Sequence, residues 1–254
     1  MELTELEALI RKTFRGSTEE LEKLFLQAKK NKGVYPFNEY EYLLSTMLER
    51  GNITHEEYTS IRDSYILRNS NLSLFEESAP RKFGEEHAEP LLQRICSKLQ
   101  KPSKVLDPDY SGQYDLWLDN IKIEVKASRV TDRKSQEPLY KKALSSNSTK
   151  DFLMNFQQLK PQCCDVFVWI AFYRDTETMW VMSSHEVEEH KGYSGGQHRG
   201  NKGNEGQLHV TRSNIKSLDK YILKNANAQE LEDAIRKAAS RNKKKNKGYD
   251  QLLF

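Results

Sequence analysis

The feature that most constrains the fold of this chain is the nearly unbroken apolar run Cys164–Phe172, Cys-Asp-Val-Phe-Val-Trp-Ile-Ala-Phe. Its length and its β-branched and aromatic residues predict a β-strand rather than a helix. Because no polar residue follows Asp165 within the run, both faces of the strand must be covered, as at the centre of an α/β sheet. The polar residues 175–177 then predict a hairpin turn, and Met179–Met182 its partner strand.

A second pair of strands is predicted in Gln113–Lys126, around a tight turn at Asp119 and Asn120. Asn and Asp tolerate the positive φ that a two-residue hairpin turn requires. Strand side chains alternate between faces, so the stretch has one apolar face and one polar face. The apolar face holds Leu116, Leu118, Ile121, Ile123 and Val125. The polar face holds Asp115, Glu124 and Lys126, with Asp115 directly opposite Glu124.

Two carboxylates facing each other on an antiparallel pair lie roughly 5 Å apart, and their like charges are destabilising. A divalent cation removes this objection, because Mg²⁺ binds carboxylate oxygens at about 2.0–2.1 Å and one ion fits between them. Mn²⁺ is expected to substitute for Mg²⁺. Lys126 lies two residues beyond Glu124 on the same face, where its ammonium can lie beside a water or a phosphate. The pattern therefore predicts a metal site formed by Asp115 and Glu124.

Asp115, followed by Glu124 and Lys126, resembles the motif of the PD-(D/E)XK nuclease superfamily, which includes most type II restriction endonucleases. The resemblance implies an α/β fold with a restriction-endonuclease-like core, a central mixed β-sheet flanked by helices. It implies that Asp115 and Glu124 hold the metal and that Lys126 positions or activates the attacking water. The proline of the motif is replaced by Tyr114. A Pro-Asp pair ending at Asp109 supplies the alternative first acid.

A further carboxylate is implied by the segment Gly-Glu-Glu-His-Ala that begins at Gly84, which resembles the Gly-Glu-x-x-Ala pattern of several branches of the superfamily. By that match Glu85 joins the catalytic site, and Glu89, one helical turn later, is the alternative. Apolar residues at helical spacing predict a helix over 83–99, although Pro90 is comfortable only in a first turn. The other interpretation of Glu85 is an acid that complements the helix dipole.

Residues 1–78 are predicted to form a helical region, because apolar residues recur at helical spacing and Ser17 and Thr54 begin capping boxes. The boundary at Ser78 leaves residues 79–254 as the nuclease core. The helical region is either a dimerisation or DNA-gripping subdomain or a layer packed on the core.

Five further elements are predicted within the core. Val105 begins a strand, and Phe152, Phe156 and Leu159 lie at helical spacing in a helix that Pro161 ends. A short strand covers 208–210. Helices are expected near 213–224 and 228–240.

Candidate DNA contacts lie after the hairpin and in a glycine-rich segment. Ser128 and Arg129 continue the strand that carries Lys126. Gly192–Gly206 holds six of the 12 glycines and lacks the Gly-Lys-Ser/Thr of a phosphate-binding P-loop. Its residues that read base edges or phosphates are Gln197, His198, Arg199, Asn201 and Lys202. The alternative is a flexible surface loop.

Charge is distributed unevenly along the chain. The segment from Arg199 onward has 13 Lys/Arg and 6 Asp/Glu, whereas the preceding residues have 27 and 31. A basic C-terminal portion, including the tail 241–247, suits a polyanionic partner. No apolar run approaches the roughly 20 residues that span a bilayer, and the N-terminus is unlike a signal peptide, so we expect a cytoplasmic protein without a membrane partner. Three cysteines make neither a disulfide framework nor a zinc spacing.

Together these features favour a Mg²⁺-dependent type II restriction endonuclease that hydrolyses phosphodiester bonds of double-stranded DNA at a short specific sequence. Cleavage of both strands of a palindrome requires two active sites, so a homodimer is expected. A cognate DNA methyltransferase acting on the same site is a further expected partner. The alternatives are a structure-specific repair or recombination nuclease of the same superfamily and a catalytically inactive DNA-binding protein.

Overall fold

The computed structural model describes residues 3–30, 39–75, 83–195 and 205–250. It divides into two compact units. One comprises residues 1–78, 134–150 and 173–176, and the other comprises 79–133, 151–172 and 177–254. None of the helices in the described ranges combines the length and apolar character that crossing a bilayer requires.

The first unit is helical, as its sequence periodicity predicts. Its helices are α1 (Leu3–Thr13), α2 (Thr18–Lys30), α3 (Glu39–Glu49) and α4 (His55–Arg68), followed by a 3₁₀ helix over Leu72–Phe75. Thr54 and Glu57 form the predicted capping box of α4. The apolar stripes of the helices share one buried core that includes Ile10, Leu24, Leu43 and Met47.

Two later segments complete the first unit. α6 (Leu139–Lys142) contributes the buried Ala143 next to it. Residues 173–176 are fixed by Asn71, whose side-chain amide donates to the carbonyl of Tyr173 at 3.0 Å and whose backbone N–H donates to the carbonyl of Arg174 at 2.9 Å. The unit is therefore assembled from three separate stretches of the chain.

The second unit contains a mixed four-stranded sheet with the order β1–β2–β5–β6. Its strands are β1 (Leu116–Leu118), β2 (Ile121–Arg129), β5 (Val166–Phe172) and β6 (Glu177–Ser183). β2 runs parallel to β5 and antiparallel to β1, and β5 runs antiparallel to β6. Every residue of β5 is buried, which confirms the central strand predicted from the apolar run.

A second, antiparallel sheet has the order β3–β4–β8–β7. Its strands are β3 (Thr131–Asp132), β4 (Phe152–Leu159), β7 (Tyr193–Gly195) and β8 (Gly206–Thr211). The short strand predicted over 208–210 is thus confirmed within β8. The second unit is a mixed α/β structure with two sheets and flanking helices.

Helices flank the sheets of the second unit. A π-helical turn over Gly84–Ala88 leads into α5 (Glu89–Ile95), and α7 (Ser184–Glu188) follows β6. Short 3₁₀ helices cover Pro161–Cys163 and Ile215–Tyr221. α8 (Ala228–Asp250) packs on β5 and β6.

Two secondary-structure predictions were wrong. Residues 152–159 form strand β4 rather than a helix. The strand contains a bulge between Phe156 and Leu159, where Gln158 has a φ of 57°. The bulge adds a residue, so Leu159 returns to the buried face at a spacing that imitates a helix. Val105 does not begin a strand: it lies in a turn closed by the Leu106 N–H on the carbonyl of Ser103 at 3.1 Å.

The C-terminal predictions need smaller corrections. The helix expected near 213–224 is the 3₁₀ helix Ile215–Tyr221, and the tail 241–247 is part of α8 rather than a separate segment. Asn227 caps α8, since its side-chain oxygen accepts the Glu230 N–H at 2.9 Å.

The β1–β2 hairpin turn is left-handed at both central residues, with φ of 44° at Asp119 and 65° at Asn120. This geometry admits Asn or Gly but strains a β-branched side chain. We expect Asn120→Val to lower the free energy of unfolding by about 1–2 kcal/mol in urea titrations. Asn120→Gly is the matched control and should be no less stable than the wild type. Equal stability of the valine variant would contradict the turn assignment.

Candidate active site

The hairpin positions the first acid of the candidate site. Its register pairs Leu116 with Ile123 and Leu118 with Ile121, as predicted. Asp115 lies just before β1, and its N–H donates to the carbonyl of Ile123 at 3.0 Å. The Asp115 carboxylate then crosses to the partner strand, where its Oδ2 accepts the Val125 N–H at 2.8 Å. Both the backbone and the side chain of Asp115 are therefore fixed against β2 beside Glu124.

Glu124 and Lys126 lie on the central strand pair, where β2 runs parallel to β5. Glu124 is 7% exposed, and its Oε1 lies 2.5 Å from the Nζ of Lys126, whose side chain is 19% exposed. A buried carboxylate at a strand centre is costly unless a charge or hydrogen bond compensates it. Lys126 supplies that compensation, and the sheet holds both side chains on one face.

The site raises the pKa of both acids. Burial is the main cause for each, and it raises the pKa of Glu124 to about 7, with the Lys126 ammonium opposing the rise and the Asp115 carboxylate adding to it. Burial likewise raises the pKa of Asp115, while the Val125 N–H and the charges of Lys126 and Lys101 oppose it. The contribution of Asp115 to the raised pKa of Glu124 indicates that the two carboxylates lie close together.

Glu85 lies close enough for its negative charge to raise the pKa of Asp115 further, although burial remains the principal cause. It is exposed in the π-helical turn, which packs against β2. The alternative acid, Glu89, is 4% exposed and forms an ion pair with Lys101. The structure thus brings the charge of Glu85 within electrostatic reach of Asp115, whereas Glu89 pairs with a lysine.

The π-helical turn explains how Pro90 fits into this helix. The Glu89 N–H donates to the carbonyl of Gly84, five residues earlier, and Pro90 follows in the first turn of α5. The helix therefore begins before Glu86. The wider π-helical turn comes first, and Pro90 follows it at a position where the missing N–H of proline is tolerated.

The other predicted contact residues lie elsewhere. Ser128 continues the Glu124 and Lys126 face of β2, half-buried opposite Ala171. Arg129 falls on the opposite face, with its guanidinium 5.0 Å from the ring centre of Phe83. The five contacts predicted in the glycine-rich segment lie outside the described residues: Gln197, His198, Arg199, Asn201 and Lys202.

Asp109, the alternative first acid, is exposed, and its backbone N–H donates to Oδ1 of Asp107 at 3.2 Å. Asp115, by contrast, contacts β2 through the Val125 N–H, and its charge raises the pKa of Glu124. Tyr110, which the motif does not predict, lies near both candidate acids: burial raises its pKa, and the charges of Asp115 and Glu124 raise it further. No local sequence pattern marks this tyrosine, because an irregular loop brings it to the site.

The donor set fits a Mg²⁺ ion held in part by water or substrate. In the described part of the chain, no group of three or more His, Cys, Asp or Glu side chains is arranged to hold a metal. Mg²⁺ is commonly bound by one or two carboxylates, with waters and phosphate oxygens completing the octahedron. Asp115 uses one oxygen for Val125 and Glu124 one for Lys126, so each has a second oxygen to offer.

In comparisons with known proteins, no protein-family model, no curated protein and no solved structure matches the chain.

Proposed function

We propose that the protein is a Mg²⁺-dependent endonuclease that hydrolyses phosphodiester bonds of double-stranded DNA. One observation carries this proposal: Asp115 accepts the Val125 N–H of β2 at 2.8 Å, next to Glu124, and Glu124 pairs with Lys126 at 2.5 Å. Two acids and a lysine on one face of a strand pair can hold a cation and a water beside a phosphate.

The chemistry follows from the position of each side chain. Asp115 and Glu124 would hold Mg²⁺, with Glu85 close enough to add a carboxylate. When bound, the ion supplies positive charge beside the phosphate and makes water easier to deprotonate. Lys126 Nζ lies next to Glu124 and orients the attacking water or accepts its proton. Its positive form also stabilises the charge that develops on the phosphate oxygens.

We further propose a restriction-endonuclease-like core and type II restriction activity, at a short specific sequence and as a homodimer. The mixed sheet supports the core assignment, because the candidate acids lie on a β-hairpin that joins a parallel strand pair. The basic C-terminal portion supports a DNA partner. A methyltransferase that modifies the same site would protect host DNA from such an enzyme.

The decisive experiment incubates the purified protein with supercoiled plasmid and Mg²⁺, then sequences the ends produced. Discrete fragments with one common end sequence support a restriction endonuclease. Cleavage confined to branched or damaged duplexes indicates the structure-specific alternative. Binding without cleavage, unchanged in Asp115→Asn, indicates a DNA-binding protein without catalysis.

We expect Mg²⁺ binding to weaken as the pH falls through about 7. A carboxylate must lose its proton to bind a metal, and burial holds the pKa of Glu124 at about 7. Displacing one proton lowers the apparent affinity by about tenfold for each pH unit below that value. Calorimetric titrations with Mg²⁺ between roughly pH 5.5 and 8.5 check this dependence. A flat profile would show that Glu124 does not bind the ion.

A further inference from the structure

Lys101 lies at the edge of the hairpin that carries Asp115. The preceding residue, Gln100, forms an antiparallel bridge with Trp117: its N–H donates to the Trp117 carbonyl at 3.0 Å, and the Trp117 N–H donates back at 2.8 Å. Lys101 follows this bridge in the direction that runs alongside β1 toward Asp115. The two hydrogen bonds of Gln100 therefore hold the start of this segment against β1, and Lys101 is the next residue.

The ammonium of Lys101 has a partner on one side and solvent on the other. It forms an ion pair with Glu89 of α5, a carboxylate that is only 4% exposed, while the lysine side chain itself is 57% exposed. A lysine ammonium has three donors, and one carboxylate does not occupy them all. Glu89 thus holds the ammonium in place and leaves it able to bind a second anion from solvent.

Lys101 also acts on the candidate site. Burial raises the pKa of Asp115, and the positive charges of Lys126 and Lys101 oppose this rise. Asp115 is therefore close to two cations, of which Lys126 is largely buried and Lys101 is open to solvent. An incoming polyanion reaches the exposed ammonium first.

We propose that Lys101 is a substrate-binding residue that holds a non-bridging phosphate oxygen of the DNA strand beside Asp115, with Glu89 anchoring its ammonium. This inference rests on the proposed nuclease function and deepens it, because it adds a phosphate contact that the Asp-Glu-Lys motif does not contain.

The chain offers a matched control three residues earlier. Lys98 is also exposed and also pairs with a largely buried glutamate of a helix, Glu232 of α8, at 2.8 Å. Unlike Lys101, it is not one of the main charges that shift the pKa of Asp115. Lys98→Met and Lys101→Met therefore remove the same charge and the same kind of ion pair, but only the second change removes a cation from the site.

The test measures binding of a fluorescent DNA duplex in EDTA across roughly 50–200 mM salt, together with steady-state cleavage in Mg²⁺. Lys101→Met should weaken DNA binding about fivefold to tenfold and reduce the slope of log K against log salt by about 1, the value for one phosphate contact. It should raise KM more than it lowers kcat, and Lys101→Arg should restore most of the loss. Lys98→Met should leave the slope and KM unchanged.

A purely structural role would give a different result. Lys101→Met would then lower the melting temperature as Lys98→Met does, with a wild-type salt slope and KM, and that outcome overturns the inference while leaving the nuclease proposal intact. Lys101→Gln, which retains a donor toward Glu89, answers the same question if the methionine variant does not fold. A wild-type protein that neither binds nor cleaves DNA overturns both proposals.

Discussion

Lys126→Ala is expected to lower the DNA cleavage rate by about 10²–10⁴-fold, the range for loss of a proton-transfer group or an electrostatic stabiliser. The Nζ of Lys126 lies 2.5 Å from Glu124 Oε1, so its removal takes away the cation that pairs with this buried acid. Single-turnover cleavage of a plasmid in Mg²⁺ measures the chemical step apart from binding.

Lys122→Ala is the matched control for this variant. Lys122 lies on the same strand and the same face, two residues before Glu124, and it pairs with Asp107 at 2.8 Å. Its loss removes an equal charge and a comparable ion pair but does not touch the candidate acids. We expect the Lys122 variant to cleave at close to the wild-type rate. Equal activity of the two variants would remove Lys126 from the mechanism.

Glu124→Gln is expected to abolish cleavage and yet stabilise the metal-free protein at alkaline pH. Burial raises the pKa of Glu124 from 4.5 to about 7, so the fold favours the protonated acid. The stability associated with this preference is complete below about pH 4.5 and is lost as the pH rises through 7. At pH 8.5 the ionised acid costs on the order of 3 kcal/mol, which the neutral glutamine avoids.

Urea denaturation in EDTA at two pH values measures this effect. The Gln variant should exceed the wild type in free energy of unfolding at pH 8.5, and the difference should nearly vanish at pH 5. Glu232→Gln should behave in the opposite sense, because the hydrogen bond from Lys98 lowers the pKa of Glu232 and the fold favours its charged form. If the Glu124→Gln variant is less stable than the wild type at pH 8.5, the fold does not disfavour the ionised form of Glu124.

The hairpin that precedes Glu124 could be predicted from sequence because its turn is local. The turn at Asp119 and Asn120 fixes the register of Leu116–Leu118 on Ile121–Ile123. The central strand β5 was equally predictable, since an apolar run of that length requires cover on both faces.

The errors arose where spacing is ambiguous or contacts are distant. In β4 the extra residue of the bulge at Gln158 moves Leu159 into a position that a helix would also explain. Lys101 could not be assigned to the site, because the bridge between Gln100 and Trp117 is a single pair that follows no periodic pattern. The same holds for Tyr110, which reaches the acids through a loop.

The helical unit combines residues 1–78 with two insertions taken from the middle of the other unit's sequence, 134–150 and 173–176. The second insertion lies directly between β5 and β6 and connects these two strands. A gene fragment ending near residue 78 would consequently encode an incomplete helical unit, lacking residues 134–150 and the segment 173–176 that Asn71 binds. Truncation at a single point in the sequence therefore separates neither unit intact from the other.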